Sequence, residues 1–260
     1  MNIVVCMKQV PDTTAEKHLN ADGTLDRESV PAVVNPWDEY AIETALRIRE
    51  DQGGEVTLLC MGPANAPETI RRGLAMGADK GVLVTDPALH GSDMWATGHV
   101  LAQALKQLEW NLALFGSQST DANGGVVFGI VAEILGLPQV SAVNQIEIGG
   151  GTVRGQRLSD AGFDVVEAQL PAVVSITQTP YEPRYPTLPN IMKAKKKELR
   201  TLGLSDIGVD PSRVGLGAAA TAVLGAERPE TARTTETYRV EDPAAAAKAI
   251  ADFLAARKLI

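Results

Sequence analysis

The sequence predicts an α/β fold, a doubly wound and mostly parallel sheet with added antiparallel hairpins and a C-terminal arm. Three observations carry that prediction. Short apolar runs lack the period-two alternation of a half-exposed strand, stretches of helical spacing lie between them, and a glycine-rich segment follows one run and opens a helix.

The runs are residues 3–7, 56–60, 81–84 and 112–115, apolar almost throughout, as strands covered on both faces require. Between the first two, residues 38–49 collect Ala41, Ile42, Ala45, Leu46 and Ile48 on one side. Residues 67–76 bring Ile70 and Leu74 together, and Gly77 supplies the stop. A third helix is expected from Ser92 as N-cap, with Leu101, Leu105 and Leu108 as its stripe. A fourth is expected over about 125–135, ended by Gly136-Leu137-Pro138. In a sheet wound this way a ligand is expected at the carboxyl ends of the strands, near the switch in strand order.

After Pro138 the pattern changes. Residues 140–148, 152–158 and 163–169 read as antiparallel strands separated by glycine-containing turns, and 170–176 returns as a core strand. Residues 208–241 are rich in Gly, Ala, Thr and Pro with little periodicity, a linker signature. Asp242-Pro243 then provides N-cap and first helical residue for a last helix with Ile250, Phe253 and Leu254 on one side. The expected organisation is an α/β nucleotide-binding domain over 1–207 and an arm over 208–260 that packs on a partner subunit.

Composition narrows the function. A net charge of −8 argues against general nucleic-acid binding, which needs a basic surface. Two cysteines, Cys6 and Cys60, both sit inside apolar runs, which reads as buried free thiols in a reducing compartment. The opening run is too short for a signal-peptide core, and no run nears the roughly 18 apolar residues of a membrane span. A soluble, cytoplasmic protein without membrane insertion is expected.

Three segments carry candidate chemistry. Gly116, Ser117, Gln118, Ser119, Thr120, Asp121, Ala122, Asn123, Gly124, Gly125, Val126 and Val127 follow the run 112–115 and open a helix. Small residues and glycines at a helix N-terminus leave backbone N–H groups free for an anion, which suits a nucleotide phosphate. A plain helix entry capped by Asp121 or Ser119 fits the same letters. The segment is neither a Walker A loop nor a GxGxxG fingerprint. Second, Asn35-Pro36-Trp37-Asp38 reads as a capped helix start with Trp37 in the core. It also reads as one wall of an adenine pocket shared with the first strand and Met61-Gly62-Pro63. Third, Pro183, Pro186 and Pro189 keep their segment extended, so that Leu188 stands on a stiff loop beside Lys193, Lys195, Lys196 and Lys197. This is either a solvated charged face or a docking anchor with electrostatic guidance. His18, His90 and His99 lack metal-ligand spacing and no nucleophile elbow occurs, so no catalytic set is read on this chain.

Together these segments resemble the β (small) subunit of electron transfer flavoproteins over most of the chain. The resemblance rests on Val4-Val5-Cys6-Met7-Lys8-Gln9-Val10-Pro11-Asp12, on Asn35-Pro36-Trp37-Asp38-Glu39, and on Met61-Gly62-Pro63 with Ala75-Met76-Gly77-Ala78-Asp79. It continues through the 116–127 loop and residues 160–175. Its most specific stretch is Glu182-Pro183-Arg184-Tyr185-Pro186-Thr187-Leu188-Pro189-Asn190-Ile191-Met192-Lys193-Ala194-Lys195-Lys196-Lys197.

The resemblance implies a heterodimeric electron carrier with a larger α subunit that holds the redox FAD, while the β subunit holds a structural AMP. By matching position the AMP contacts would be Cys6, Asn35, Pro36, Trp37, Asp38, Met61 and the whole 116–127 loop. Leu188 occupies the anchor position of the family's recognition loop, with Pro189, Ile191, Met192, Lys193, Lys195, Lys196 and Lys197 on the same docking surface. The implied visitors are acyl-CoA or other flavin dehydrogenases, with electrons passed on to a downstream oxidoreductase. Electron-bifurcating relatives carry a second FAD in place of AMP and commonly an Asp-Gly-Asp-Thr-type loop; Asp121-Ala122-Asn123-Gly124-Gly125 departs from it, which favours AMP. Some members place a tyrosine near the flavin after the first strand; here Asp12-Thr13 stands there, and no aromatic contact is expected. A stand-alone adenine-nucleotide sensor remains an alternative reading.

Overall fold

The computed structural model describes residues 1–20, 23–226, 237 and 242–260. The chain runs β1 (Asn2–Met7), β2 (Gln9–Pro11), β3 (Ala32–Val34), α1 (Pro36–Gln52), β4 (Glu55–Met61), α2 (Pro67–Met76), β5 (Lys80–Val84), α3 (Met94–Leu105), β6 (Leu112–Gly116) and α4 (Val127–Leu135). It continues through β7 (Gln139–Gly149), β8 (Thr152–Ser159), β9 (Gly162–Gln169), β10 (Ala172–Ile176), α5 (Leu188–Ala194), β11 (Leu199–Leu202) and α6 (Pro243–Ala256).

Nine strands form one sheet in the order β11-β5-β4-β1-β6-β10-β7-β8-β9. Seven of them, β11 through β7 in that order, are parallel, and β8 and β9 extend the edge as an antiparallel meander. The chain builds outward from β1 through β4 to β5, then crosses to lay β6 on the other side of β1. The switch point therefore lies between β1 and β6.

Both faces of the parallel strands are covered, which explains their unbroken apolar runs. On one face Ile42 and Leu46 of α1 and Ile70 and Leu74 of α2 pack on Ile3, Val5, Leu58 and Leu114. On the other, Val100 and Leu105 of α3 and Val131 of α4 pack on Val4, Cys6, Leu59 and Phe115. The alternation of side chains along each strand sends successive residues to opposite faces, and both are dry.

Several boundaries differ from the sequence reading for local reasons. The third helix starts at Met94, because Asp93 and not Ser92 caps it: Asp93 Oδ1 accepts from Ala96 N at 2.9 Å, while the Ser92 hydroxyl donates to Leu89 O at 2.7 Å. Leu108 falls beyond its last turn, and the fourth helix opens at Val127. The antiparallel ribbon β2–β3 and the edge strand β11 were not anticipated. Leu188 is the first residue of helix α5, capped by Thr187, and does not stand on an extended loop.

The chain divides into a unit of residues 1–224 and one of 225–260. The first extends past the expected boundary at 207, since Val209 and Val214 are buried in its core. Much of the expected linker, residues 227–236 and 238–241, lies outside the described residues. In the second unit α6 begins as its sequence requires: Asp242 Oδ1 accepts from Ala244 N at 3.0 Å and Pro243 takes the first helical position. Ile250 of α6 is exposed. Among the described residues no helix is long and apolar enough to cross a membrane.

Candidate functional site

At the switch point the loop after β6 meets the start of α1 and the residue following β1. The buried Asn35 and Asp38 make this junction. Asn35 Nδ2 donates to Gln118 O at 2.9 Å, and its Oδ1 accepts from Thr120 N at 3.1 Å, so one side chain takes both hydrogen-bonding directions of the loop backbone. The Asp38 carboxylate accepts from Lys8 N at 2.7 Å and from Gly116 N at 3.2 Å, tying the ends of β1 and β6 to the first turn of α1. Both residues were expected to touch a nucleotide. In the structure these side chains bond to the backbone of the loop and of the β1 and β6 ends, and they hold the loop's pose.

Gly116 is required by close approach. A Cβ there would stand 2.7 Å from the Trp37 carbonyl carbon and 2.8 Å from Asp38 N, inside the backbone of α1. Farther on, Asn123 and Gly125 take positive φ (50° and 63°), which turns the loop into α4. Val126 occupies the N-cap position of α4, so the first-turn N–H groups have no intrahelical partner and, among the described residues, no side-chain cap. The Thr120 hydroxyl is buried without a partner. The loop thus holds an unpaired buried hydroxyl and leads into a nine-residue helix whose positive end has no side-chain cap.

The loop also contains a carboxylate, and two cations answer it. Asp121 is buried, with Lys8 Nζ 2.9 Å from each carboxylate oxygen and Arg27 Nη2 2.5 Å from Oδ2. Burial alone raises this carboxyl, but the Lys8 ammonium, hydrogen bonds from Lys8 and Ser119, and the Arg27 guanidinium hold it down to about 2. One carboxylate against two cations leaves the rim of the loop net positive. Sequence reasoning missed Lys8 and Arg27; a basic residue directly after a strand at the switch point was the available signal.

Cys6 is the penultimate residue of β1, and Met61 ends β4. The Cys6 thiol lies in the core and burial raises its pKa well above the ordinary value, while Cys60, on the other face, is pushed up to about 12. Neither is a nucleophile at neutral pH. Pro36, Trp37 and Met61 are half-buried around the same strand ends, while Ala122, Asn123 and Val126 are exposed.

Asp38 gives the junction a pH signature. Burial drives its carboxyl up to about 7, although the N–H of Lys8, the Asn35 side chain and the N–H of Gly116 each pull it down. A folded-state pKa above the unfolded value of 3.8 means the folded protein holds this proton longer, so stability falls as pH rises between about 4 and 7. Asp121 acts oppositely and only in acid, its contribution fading as pH falls below 3.8 toward 2. In urea unfolding, the advantage of wild type over Asp38→Asn is expected to shrink by about 4 kcal/mol from pH 4 to pH 8. An advantage that stays constant over that range would refute the assignment.

The lysine-rich segment lies away from this loop. Leu188 is 73% exposed, Met192 58% and Ile191 41%, on one short helix with Pro189 and Lys193. Lys193, Lys195 and Lys196 are exposed beside it. Lys197 behaves differently: its ammonium donates to Leu74 O at 3.0 Å and Gly77 O at 3.3 Å, closing the end of α2, and burial lowers its pKa.

The fold and the junction define a doubly wound α/β protein with a glycine-containing loop at its switch point. A family model, the electron transfer flavoprotein domain, matches residues 22–207. The chain is 45% identical over 266 residues to the electron transfer flavoprotein subunit beta of Mycobacterium tuberculosis, covering 100% of this chain and 99% of that one. It is 38% identical over 239 residues to the protein of that name from Thermoanaerobacterium thermosaccharolyticum (92% of each). With the Caffeyl-CoA reductase-Etf complex subunit CarD of Acetobacterium woodii it shares 38% over 226 residues (86% of each). The chain belongs to the electron transfer flavoprotein β-subunit family.

Proposed function

We propose that this chain is the β half of a heterodimeric electron carrier. An α partner holds the redox FAD, this chain holds one AMP, and electrons enter from flavin dehydrogenases that dock on α5. The adenylate reading is supported by the loop after β6, which holds an unpartnered buried Thr120 hydroxyl and runs into the uncapped N-terminus of α4. The phosphate would be held by backbone N–H groups of residues 124–128 and by Thr120, with Lys8 and Arg27 supplying positive potential. Met61 and Trp37 line the strand ends where the adenine would lie. Asn35 and Asp38 keep the loop in place and need not touch the nucleotide. FAD supplies the redox chemistry of the pair, and this chain supplies position and surroundings.

The test is the released ligand. Heat-denaturing the co-expressed pair and chromatographing the supernatant is expected to yield AMP and FAD in equal amounts. Two flavins per pair with no AMP would replace this reading by one in which β carries its own FAD. A colourless, adenylate-free chain that is stable without any partner would overturn it altogether.

A further inference from the structure

Helix α5 has only seven residues, too few to hold a shape by its own hydrogen bonds. Its exposed Leu188, Ile191 and Met192 add almost no core. Only Ala194 packs into the core from this helix, and charged groups flank it at both ends.

On the entry side, Arg184 is bound by two carboxylates of α1. Its Nε and Nη2 donate to Glu43 at 2.7 and 3.0 Å, and its Nη1 and Nη2 donate to Glu50 at 2.5 and 3.1 Å. Its backbone N–H also donates to Glu43 Oε2 at 3.2 Å. The Glu43 side chain is 1% exposed and shared with Arg47, whose guanidinium lies 4.1 Å from the centre of the Tyr181 ring. On the exit side the capping is reciprocal. Arg71 of α2 donates to the carbonyls of Ala194 and Lys197, both at 2.6 Å, and Lys197 returns its ammonium to the last carbonyls of α2. Between these anchors, among the described residues, no ion pair ties down the apolar tip.

We propose that Arg184 and Arg71 are positioning residues that brace α5 from opposite ends, so that the Leu188 tip meets a partner already ordered. This rests on the docking reading above. A preformed tip avoids the ordering cost that a floppy segment bears on association. Paired carboxylates also fix a guanidinium in orientation as well as place, which a lysine cannot reproduce.

The test uses the complete α–β complex carrying Arg184→Met, Arg184→Lys or Arg71→Met, with Leu188→Ala in parallel. Amide exchange at Ile191, Lys196 and Lys197 is measured, and so are KM and kcat for electron acceptance from a flavoprotein dehydrogenase. Both methionine variants are expected to exchange about tenfold faster at these amides. They are also expected to raise KM about fivefold with kcat and flavin content unchanged, and Arg184→Lys is expected to rescue only part of this. Wild-type exchange in both methionine variants would overturn the bracing, whatever KM does. Faster exchange together with a Leu188→Ala variant of wild-type KM would instead leave the bracing intact and remove the docking reading. If Arg184→Met does not fold, Glu50→Gln weakens only the exposed half of the bridge and is judged by the same outcomes.

Discussion

Gly116→Ala is expected to destabilise the protein by about 3 kcal/mol and to empty the proposed adenylate site. The added methyl would enter the backbone at Trp37 and Asp38, where no side chain can swing aside. Either the loop lifts off α1 or the first turn of α1 retreats. Both movements break the Asp38 bond to Gly116 N and pull on the two Asn35 bonds at Gln118 and Thr120. Position 124 provides the contrast: a methyl there meets only the flexible end of the Met94 side chain. At position 149 nothing lies within 4 Å. Thermal unfolding and released-adenylate content should therefore fall steeply for Gly116→Ala, modestly for Gly124→Ala and not at all for Gly149→Ala. A Gly116→Ala protein with wild-type melting temperature and full adenylate would show that the loop does not depend on this contact.

What the sequence disclosed and what it withheld divide along physical lines. Strands such as β1, β4 and β6 were legible because burial on both faces leaves an unbroken apolar run. Ribbon β2–β3 was not, since three-residue strands are too short for a period. Adjacent Ser92 and Asp93 are both good caps by composition, and only the reach of one side chain to Ala96 N decides between them. The loop at 116–127 was visible as a motif, but the use of Asn35 and Asp38 was not. Their partners lie 30 to 85 positions away, and residue type says nothing about whether a carboxylate faces a ligand or a backbone N–H. Lys197 shows the same limit at short range. Three successive lysines look alike in sequence, yet the fold exposes two and folds the third onto α2.

Leu188→Ala should lower kcat/KM for the dehydrogenase partner by roughly thirtyfold, about 2 kcal/mol, while leaving flavin and adenylate content intact. Leu188 stands at the start of α5 with no hydrophobic neighbour burying it, so truncation costs the free protein almost nothing. The loss must then appear only when a partner covers the tip. Because the anchored ends keep α5 in place, removing the side chain leaves the rest of the surface presented as before, and the effect should fall on KM. The three exposed lysines beside it act at longer range. Replacing Lys193, Lys195 and Lys196 with Gln should slow association chiefly at low salt, with the difference from wild type fading near 0.15 M, where the screening length is about 8 Å. A deficit from Leu188→Ala that vanished at high salt, or a lysine deficit that persisted there, would mean that the apolar tip and the basic rim had been given each other's roles.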